Sequence, residues 1–404
     1  MPLLTNIGCL ATCRADGGQG DVHLIPRAAL AWEGERITWL GPQDQLPSTY
    51  AGLERVDAHG KLMVPGLVDC HTHLAFGGWR ADEFEQRLLG KPYLEIAKEG
   101  GGIARTVRQT RASSESELYE KALKHLQEMT CLGVSTVECK SGYGLDLETE
   151  LKLLRVYRQL AKTQPNRIVS TFLGAHVVPP EYKSKRADYV KLLTHDMIPA
   201  VVAEKLARFC DAFVEDSAFS VEEARTILEA GKAHGLRPKL HADQLSDGDG
   251  ARLAAELGAI SADHLEHVSD DGIAALAQAG VVAVSLPLAT LYLNQPSMPA
   301  GKLMQAGVPV AVATDFNPGS APSYHLPLAM SLACVMQRMA PAQALKGSTI
   351  YAAKAIGMEA DVGSLEVGKY ADFLIVDAPD VNHWLYHFRA NAVIQTVIGG
   401  KVLP

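Results

Sequence analysis

Two histidines follow directly after an apolar run in the stretch VDCHTHLAFGGWRADEF, residues 68–84. His71 and His73 are two positions apart, so on an extended strand both imidazole rings leave the same face and can reach one metal ion. Neutral imidazole is a good ligand for zinc and for iron. An isolated HxH pair is nevertheless more often a surface or packing feature, so the pair predicts a metal site only where other ligands join it.

Further residue types that bind metals close later apolar runs of the chain. His176, His241 and His264 end the third, fifth and sixth of eight such runs, and Asp315 ends the eighth. The eight runs are LMVPGLVDCH, VSTVECK, IVSTFLGAH, DAFVED, RPKLHAD, AISADHLEH, VVAVSLP and VPVAVATD. An amphipathic segment follows each run, which predicts an α/β fold of eight strand-helix units over residues 61–360.

Two α/β architectures share this alternation of strands and helices. A TIM-like (β/α)8 barrel matches the number of units, whereas periodicity alone does not exclude a doubly wound sheet. In a barrel the carboxyl ends of all strands form one rim, so residues hundreds of positions apart converge there. The barrel is the preferred prediction because it brings the histidines and Asp315 together.

The chemistry expected at such a rim is hydrolysis. Three neutral imidazole nitrogens and one carboxylate can hold a divalent ion and leave a coordination position open for water. Asp315, beside that water, can accept its proton and return it to a leaving nitrogen. Each of these residues taken singly is as compatible with a core or surface role, so the prediction depends on their joint placement.

The remaining histidines are weaker candidates for the site. His267 is expected to begin the helix after the sixth strand, and His325, just past the eighth strand, stays undecided. Structural or surface roles are predicted for the others, which are His23, His59, His125, His195, His234, His383 and His387.

Composition limits the class of partner. The chain has 404 residues, of which 47% are hydrophobic, and its formal net charge of -8 includes no long block of like charge. This charge pattern offers no block of basic residues to bind nucleic acid or an anionic membrane, so a small-molecule substrate is expected. The seven scattered cysteines suit a reducing compartment, and no run approaches the ~20 apolar residues of a membrane helix. The predicted location is therefore the cytoplasm.

The two chain ends have a different sequence pattern from the middle of the chain. Residues 1–60 and 361–404 contain short β-branched runs separated by glycine-rich turns. They predict one composite small β-domain, a β-sandwich built from both ends, with the barrel of residues 61–360 inserted between them.

The motifs PGLVDCHTH, KLHAD, ADHLEH and ATDFNPG resemble those of the amidohydrolase superfamily. HTHLAFGGWRADEF, ECKSGYGLD, FLGAHVVP and ATDFNPGSAP are most similar to the branch that hydrolyses 4-imidazolone-5-propanoate to N-formimidoyl-L-glutamate in histidine degradation. The resemblance covers nearly the whole chain and implies a homodimer with one zinc or iron ion per chain. It implies that the metal ligands are His71, His73, His241 and Asp315, and that His264 hydrogen-bonds the attacking water or the carbonyl oxygen and so stabilises charge in the tetrahedral intermediate.

The resemblance also implies a set of substrate contacts. Arg80 would hold the propionate carboxylate with a bidentate fork, which a lysine lacks. Gln244 replaces a carboxylate found in some relatives, and because an amide cannot act as a general base it is assigned to orient the ring. The other expected substrate-binding residues are Tyr143, His176, Asn317, Gly319, Ser320 and, more weakly, Tyr93.

Three alternatives stay open from the sequence. Many members of the superfamily bridge two metal ions with a carboxylated lysine; the fourth strand, DAFVED, has no lysine, but Lys239 shares a strand with His241. Another cyclic amidase or a nucleobase deaminase would have the same metal rim, although a neutral base would leave Arg80 unsatisfied. A metal-dependent sensor without turnover is the third alternative, and binding without product formation would identify it.

Overall fold

Two eight-stranded sheets dominate the computed structural model, which describes residues 2–91, 95 and 99–403. Tyr93 lies outside the described residues. The strands are β1 Leu3–Ala11, β2 Leu24–Glu33, β3 Arg36–Pro42, β4 Arg55–Asp57, β5 Leu62–Pro65, β6 Leu67–Thr72, β7 Val134–Lys140, β8 Arg167–Ala175, β9 Phe209–Val214, β10 Arg237–Ala242, β11 Ser261–His264, β12 Val282–Ser285, β13 Val310–Val312, β14 Phe373–Val376, β15 Val393–Ile398 and β16 Lys401–Leu403.

The first sheet is built from both ends of the chain. Its order is β16-β15-β14-β5-β1-β2-β3, with β4 paired to β1. The pairs of β1 with β4 and with β5 are parallel, and the other pairs are antiparallel, so the sheet is mixed. The two ends do meet in one sheet, as their shared pattern of short β-branched runs predicts. We keep the division into residues 1–60 with 361–404 against 61–360 as a proposal about folding units.

The second sheet is the predicted barrel. Strands β6 to β13 pair in chain order, and every adjacent pair is parallel. A bridge between Thr72 and Phe316 joins the first strand to the segment after the last one. All eight predicted runs contribute a strand, which confirms the barrel over the doubly wound sheet. The first run, LMVPGLVDCH, is divided, because Leu62–Pro65 pairs in the small sheet and only Leu67–Thr72 enters the barrel.

Helices follow the barrel strands and bury their apolar faces against them. The helices are α1 Ala81–Leu88, α2 Ile103–Ala112, α3 Glu115–Cys131, α4 Leu147–Thr163, α5 Arg186–Leu192, α6 Ile198–Ala203, α7 Val221–Ala233, α8 Gly250–Leu257, α9 Asp270–Ala279, α10 Pro287–Leu293, α11 Ala300–Gln305, α12 Leu326–Gln337, α13 Pro341–Gly347, α14 Ile350–Ala355 and α15 Val381–Tyr386. Reciprocal capping boxes fix the starts of α3, at Ser114 with Glu117, and of α7, at Ser220 with Glu223. Helix α9 begins at Asp270, so the expectation that His267 begins it is wrong. Within the described ranges, no helix is long and apolar enough to cross a bilayer.

Charged side chains occupy part of the barrel interior, where branched apolar residues are usual. On the described barrel strands, six acidic or lysine side chains have no solvent exposure, and they are Asp69, Glu138, Lys140, Asp211, Lys239 and Asp263. Burial of unpaired charge is costly, so these groups must compensate one another or serve the site above them.

Candidate active site

The rim of the barrel brings the predicted ligands together. Oδ1 of Asp315 lies 3.4 Å from Nε2 of His71 and 3.5 Å from Nε2 of His73. Ligand atoms of these three residues all lie within 4.8 Å of one another, and the same holds for His71, His241 and His264. All five residues are buried. His71 belongs to both groups, so one centre can be reached from the first, fifth, sixth and eighth strands.

Closure of the barrel fixes the relation between the first-strand and eighth-strand ligands. The amide of Asp315 donates to the carbonyl of His71 at 3.0 Å, and the amide of His73 donates to the carbonyl of Phe316 at 2.8 Å. Asp315 has a φ of 55° and His264 a φ of 81°, a left-handed backbone that L-residues with a Cβ rarely adopt. Such strain is maintained only where the surroundings over-determine it, and it concentrates at functional sites.

Two carboxylates orient two of the histidine rings. Nδ1 of His71 donates to Asp263 at 2.6 Å, and Nδ1 of His241 lies 3.1 Å from a carboxylate oxygen of Asp211. Among the described residues, Nε2 of His71 and Nε2 of His241 are buried and have no hydrogen-bond partner. A carboxylate behind one ring nitrogen, with the other nitrogen unoccupied, is the arrangement found at metal-binding histidines. The donor set therefore fits a metal ion.

A buried lysine connects these two carboxylates. Nζ of Lys140 lies 2.8 Å from Asp211, 2.9 Å from Glu138 and 3.4 Å from Asp263. Burial works against the charged ammonium, but Asp211 and Glu138 outweigh it and hold the pKa of Lys140 above its ordinary value. Sequence reasoning missed this group, although ECK and DAF each place a charged residue inside an otherwise apolar strand.

The two carboxylate-paired histidines differ in proton affinity. Burial and Lys140 lower the pKa of His71, but the neighbouring carboxylates of Asp263 and Asp315 outweigh them and raise it to about 9. Burial lowers the pKa of His241 to about 3, because Asp211 only partly opposes it. Burial also raises the pKa of Asp315, but His71 and His73 hold it well below the usual range. A proton and a metal cation would therefore compete for His71, while His241 is already a neutral ligand.

A cavity of about 470 Å³ opens above this centre. Its lining includes nearly all the predicted site residues, namely His73, Arg80, Tyr143, His176, His241, Gln244, His264, Asp315, Asn317, Gly319 and Ser320. Arg87, Ile103, Phe213 and Leu245 add to the lining and are residues that the sequence reasoning missed. The cavity has room for a small ring that carries a polar tail.

Arg80 is a cation of the cavity wall that has no acidic partner among the described residues. Its Nε is buried without a hydrogen-bond partner, and in the described part of the chain no carboxylate lies within 4.0 Å of its guanidinium. Gly319 packs closely against this side chain. A Cβ added at position 319 would lie 1.7 Å from Nη2 of Arg80. An arginine without an acidic partner, facing a cavity, is suited to bind an anionic ligand.

A buried glutamate shapes the loop that carries Tyr143. The carboxylate of Glu150 accepts hydrogen bonds from the amides of Gly142, Gly144 and Leu145, at 2.8 to 3.2 Å. Gly142 has a φ of +103°, a conformation that favours glycine. Tyr143 is thereby held at the cavity wall, and sequence reasoning did not identify Glu150 as the reason.

His176 completes this part of the wall. Its Nδ1 donates to the carbonyl of Gly142 at 3.0 Å, and its ring stacks on His73 with centroids 5.2 Å apart. Burial, with His73 and His241 nearby, holds the pKa of His176 well below its usual value. The ring is therefore neutral, as a ligand for an uncharged heterocycle would be.

The loop after the eighth strand is organised by Asn317. Its Oδ1 accepts hydrogen bonds from the amides of Gly319 at 2.7 Å and Ser320 at 2.8 Å, and its Nδ2 donates to the carbonyl of Asp315 at 2.7 Å. The amides of Gly319 and Ser320 are thus engaged within the loop. Direct contact of Asn317, Gly319 and Ser320 with substrate stays a prediction.

Two residues left open by the sequence lie away from the rim. Nζ of Lys239 donates to Ser261 at 2.7 Å and to the carbonyl of Ala355 at 3.2 Å, deeper in the barrel. His325 caps α12, accepting the amide of Leu328 at 3.0 Å, and is absent from the lining of the cavity.

The barrel and its buried histidine and aspartate centre define a hydrolase of the amidohydrolase superfamily, and residues 182–403 match the model of the Amidohydrolase family. The chain is 49% identical to an imidazolonepropionase of Symbiobacterium thermophilum, over 99% of this chain and 96% of the relative. It is 46% identical to an imidazolonepropionase of Cupriavidus necator, over 96% of this chain and 95% of the relative. The chain therefore belongs to the imidazolonepropionase family.

The fold has a solved counterpart. The crystal structure of an adenosine deaminase from Xanthomonas campestris with bound zinc matches with a TM-score of 0.73, covering 99% of this chain and 92% of that one. The sequence identity is only 17%, so this likeness concerns the fold alone.

Proposed function

We propose that this chain hydrolyses the cyclic amide bond of 4-imidazolone-5-propanoate to give N-formimidoyl-L-glutamate, a step of histidine degradation. The observation that carries the proposal is one cavity with a buried ligand centre at its base and the unpaired Arg80 in its wall. A ring held over the centre would place its propionate tail toward that guanidinium. The names of the relatives agree with this substrate.

We assign one zinc or iron ion per chain to His71, His73, His241 and Asp315. When bound, such an ion lowers the pKa of water and polarises a carbonyl oxygen. Histidine and carboxylate ligands accept either metal, so supply in the cell decides between them. A single ion is favoured because Lys239 donates to Ser261 and Ala355 below the rim rather than facing the cavity.

Asp315 is assigned the proton transfers. Its low pKa leaves it ionised and able to accept a proton from the attacking water. The water oxygen bonds to the ring carbonyl carbon, the ring C–N bond breaks, and Asp315 returns the proton to the departing nitrogen. His264, also at the base of the cavity, is assigned to hydrogen-bond the carbonyl oxygen as negative charge develops on it.

The wall is assigned to substrate recognition. Arg80 binds the propionate carboxylate with two parallel hydrogen bonds. Gln244 orients the ring through its amide donor and acceptor. The remaining assigned contacts are those of Tyr143, His176, Asn317, Gly319, Ser320 and, outside the described residues, Tyr93.

We further infer a cytoplasmic homodimer. All seven cysteines are free thiols, as expected in a reducing compartment. Light scattering coupled to size-exclusion chromatography tests the assembly, and a monomer mass would contradict it.

The central test is an assay of purified protein with freshly made 4-imidazolone-5-propanoate, before and after removal and restoration of the metal. We expect loss of substrate and appearance of N-formimidoyl-L-glutamate only in the metallated protein. Elemental analysis of the same samples should give about one zinc or iron per chain, and a reproducible value near two would contradict the single-ion assignment. No turnover by folded, metallated protein would reject the substrate, and nucleobases and other cyclic amides would be tested next.

A further inference from the structure

Lys140 is the only described side chain that contacts both carboxylates behind the metal-facing histidines. It ends β7, the second barrel strand, and its side chain has no solvent exposure. Two positions earlier on the same strand face, Glu138 accepts from Nζ at 2.9 Å. Glu138 is itself fixed by a hydrogen bond from Thr171. The ammonium group is therefore anchored on one side and free to hold Asp211 and Asp263 on the other.

The two carboxylates approach the ammonium from strands on either side of His241. Asp211 is on β9 and Asp263 on β11, while His241 is on β10 between them. Each carboxylate contacts both Nζ of Lys140 and the Nδ1 of one histidine through its Oδ2. One cation thus sets the position of two carboxylates, which in turn set the tilt of two imidazole rings.

We propose that Lys140 is a positioning residue that aims Nε2 of His71 and Nε2 of His241 at one ion and thereby sets the affinity of the site for its metal. The inference rests on the proposed metal ligands. The positioning role requires a compact cation with donors in several directions, because three carboxylates surround the Nζ of Lys140. Loss of the ammonium leaves Asp211 and Asp263 to repel each other and to rotate away from the rings they orient.

The protein provides a matched control in Lys239. This lysine is equally buried in the same barrel, but its Nζ lies 3.9 Å from Asp263 and donates mainly to Ser261 and Ala355. Lys140→Met and Lys239→Met each remove one buried cation from the interior. Only the first removes the contact shared by both histidine-bound carboxylates.

The experiment measures zinc affinity directly on the full chain stripped of metal, by competition with a chromophoric chelator. We expect the Kd of Lys140→Met for Zn²⁺ to rise about 10- to 100-fold, the range usual for loss of a partner behind a metal ligand, and that of Lys239→Met to rise less than about threefold. Thermal unfolding of the metal-free proteins is followed in parallel, and similar melting temperatures for the two variants would separate positioning from general destabilisation.

Three outcomes decide the inference. A Kd for Lys140→Met within threefold of the unsubstituted chain, or equal to that of Lys239→Met, overturns it. If Lys140→Met does not fold, Lys140→Gln replaces it, since the amide can donate to one carboxylate but not to both. An unchanged Kd in Lys140→Gln also overturns the inference. Failure of both variants to melt cooperatively assigns Lys140 to the fold instead. Absence of zinc binding by the unsubstituted chain would reject the metal ligands themselves, a result distinct from all of these.

Discussion

The base and the wall of the active-site cavity are built differently. The base consists of His71, His73, His241, His264 and Asp315, at or just beyond strand ends. Their exposure is at most 3%, and a second layer of buried carboxylates holds two of the rings. The wall is formed by loop side chains such as Arg80 and Gln244, which are half-buried. The difference teaches that the residues proposed for the chemistry lie on rigid elements, whereas those proposed for substrate selection lie on segments that can vary.

Substitution at the base should have the largest effect. Asp315→Asn keeps the size of the side chain but removes the acceptor of the water proton and weakens the metal site. We expect kcat/KM to fall by about 10³-fold or more, with a reduced metal content measured on the same sample. Asp247→Asn, at an exposed position on the loop after the fifth strand, is the control and should be unchanged. Retention of more than a tenth of the activity by Asp315→Asn would remove Asp315 from the proton transfer.

Substitution at the wall should act mainly on binding. Arg80→Lys preserves the charge but loses the planar fork that matches a carboxylate. We expect KM to rise about 30-fold and kcat to change much less, since the loss of one charge-assisted hydrogen bond costs roughly 2 kcal/mol. Arg225→Lys, whose guanidinium pairs with Glu256 on the surface, serves as control. A loss confined to kcat would mean that Arg80 belongs functionally to the base.

Sequence reasoning predicted which residues meet at the base, because strand periodicity and strand ends are strong signals. His71 and His73 share a strand face by spacing alone, and the barrel then places His241, His264 and Asp315 on the same rim. The split of the first run between two sheets was not predictable, because LMVP and LVDCHT are equally apolar.

The second layer could not be predicted because its partners come from different strands. Lys140, Asp211 and Asp263 are 71 and 52 positions apart in turn, and only the barrel register brings them into contact. A buried charge in a strand signals a partner but does not name it. The role of Glu150 was not predicted for a related reason. In the sequence it is an ordinary charged residue in the first turn of α4, yet in the structure it binds three loop amides.

Gln244 distinguishes orientation from proton transfer at the boundary between base and wall. Gln244→Glu removes the amide donor and adds an anion to a cavity that is proposed to bind a carboxylate. We expect kcat/KM at neutral pH to fall about tenfold. Gln295→Glu adds the same charge at a half-buried position in the lining of the same cavity and should cost less than about threefold. A strong increase in turnover by Gln244→Glu would show that a base at this position serves the reaction better and that Asp315 does not act alone.

The smallest effect is expected at Gly319, which packs against the Arg80 side chain of the wall. In Gly319→Ala the new Cβ would overlap the guanidinium of Arg80, which must shift because the approach is 1.7 Å. The overlapped atoms belong to the end of a flexible side chain, so the melting temperature should stay within about 2 °C while KM rises about threefold. Gly301→Ala, where a Cβ meets no atom within 4 Å, should change neither quantity. If Gly319→Ala left KM unchanged in an assay that resolves the Arg80→Lys effect, the position of the Arg80 fork would not limit substrate binding, and the contrast between a rigid base and a tuned wall would have to rest on charge alone.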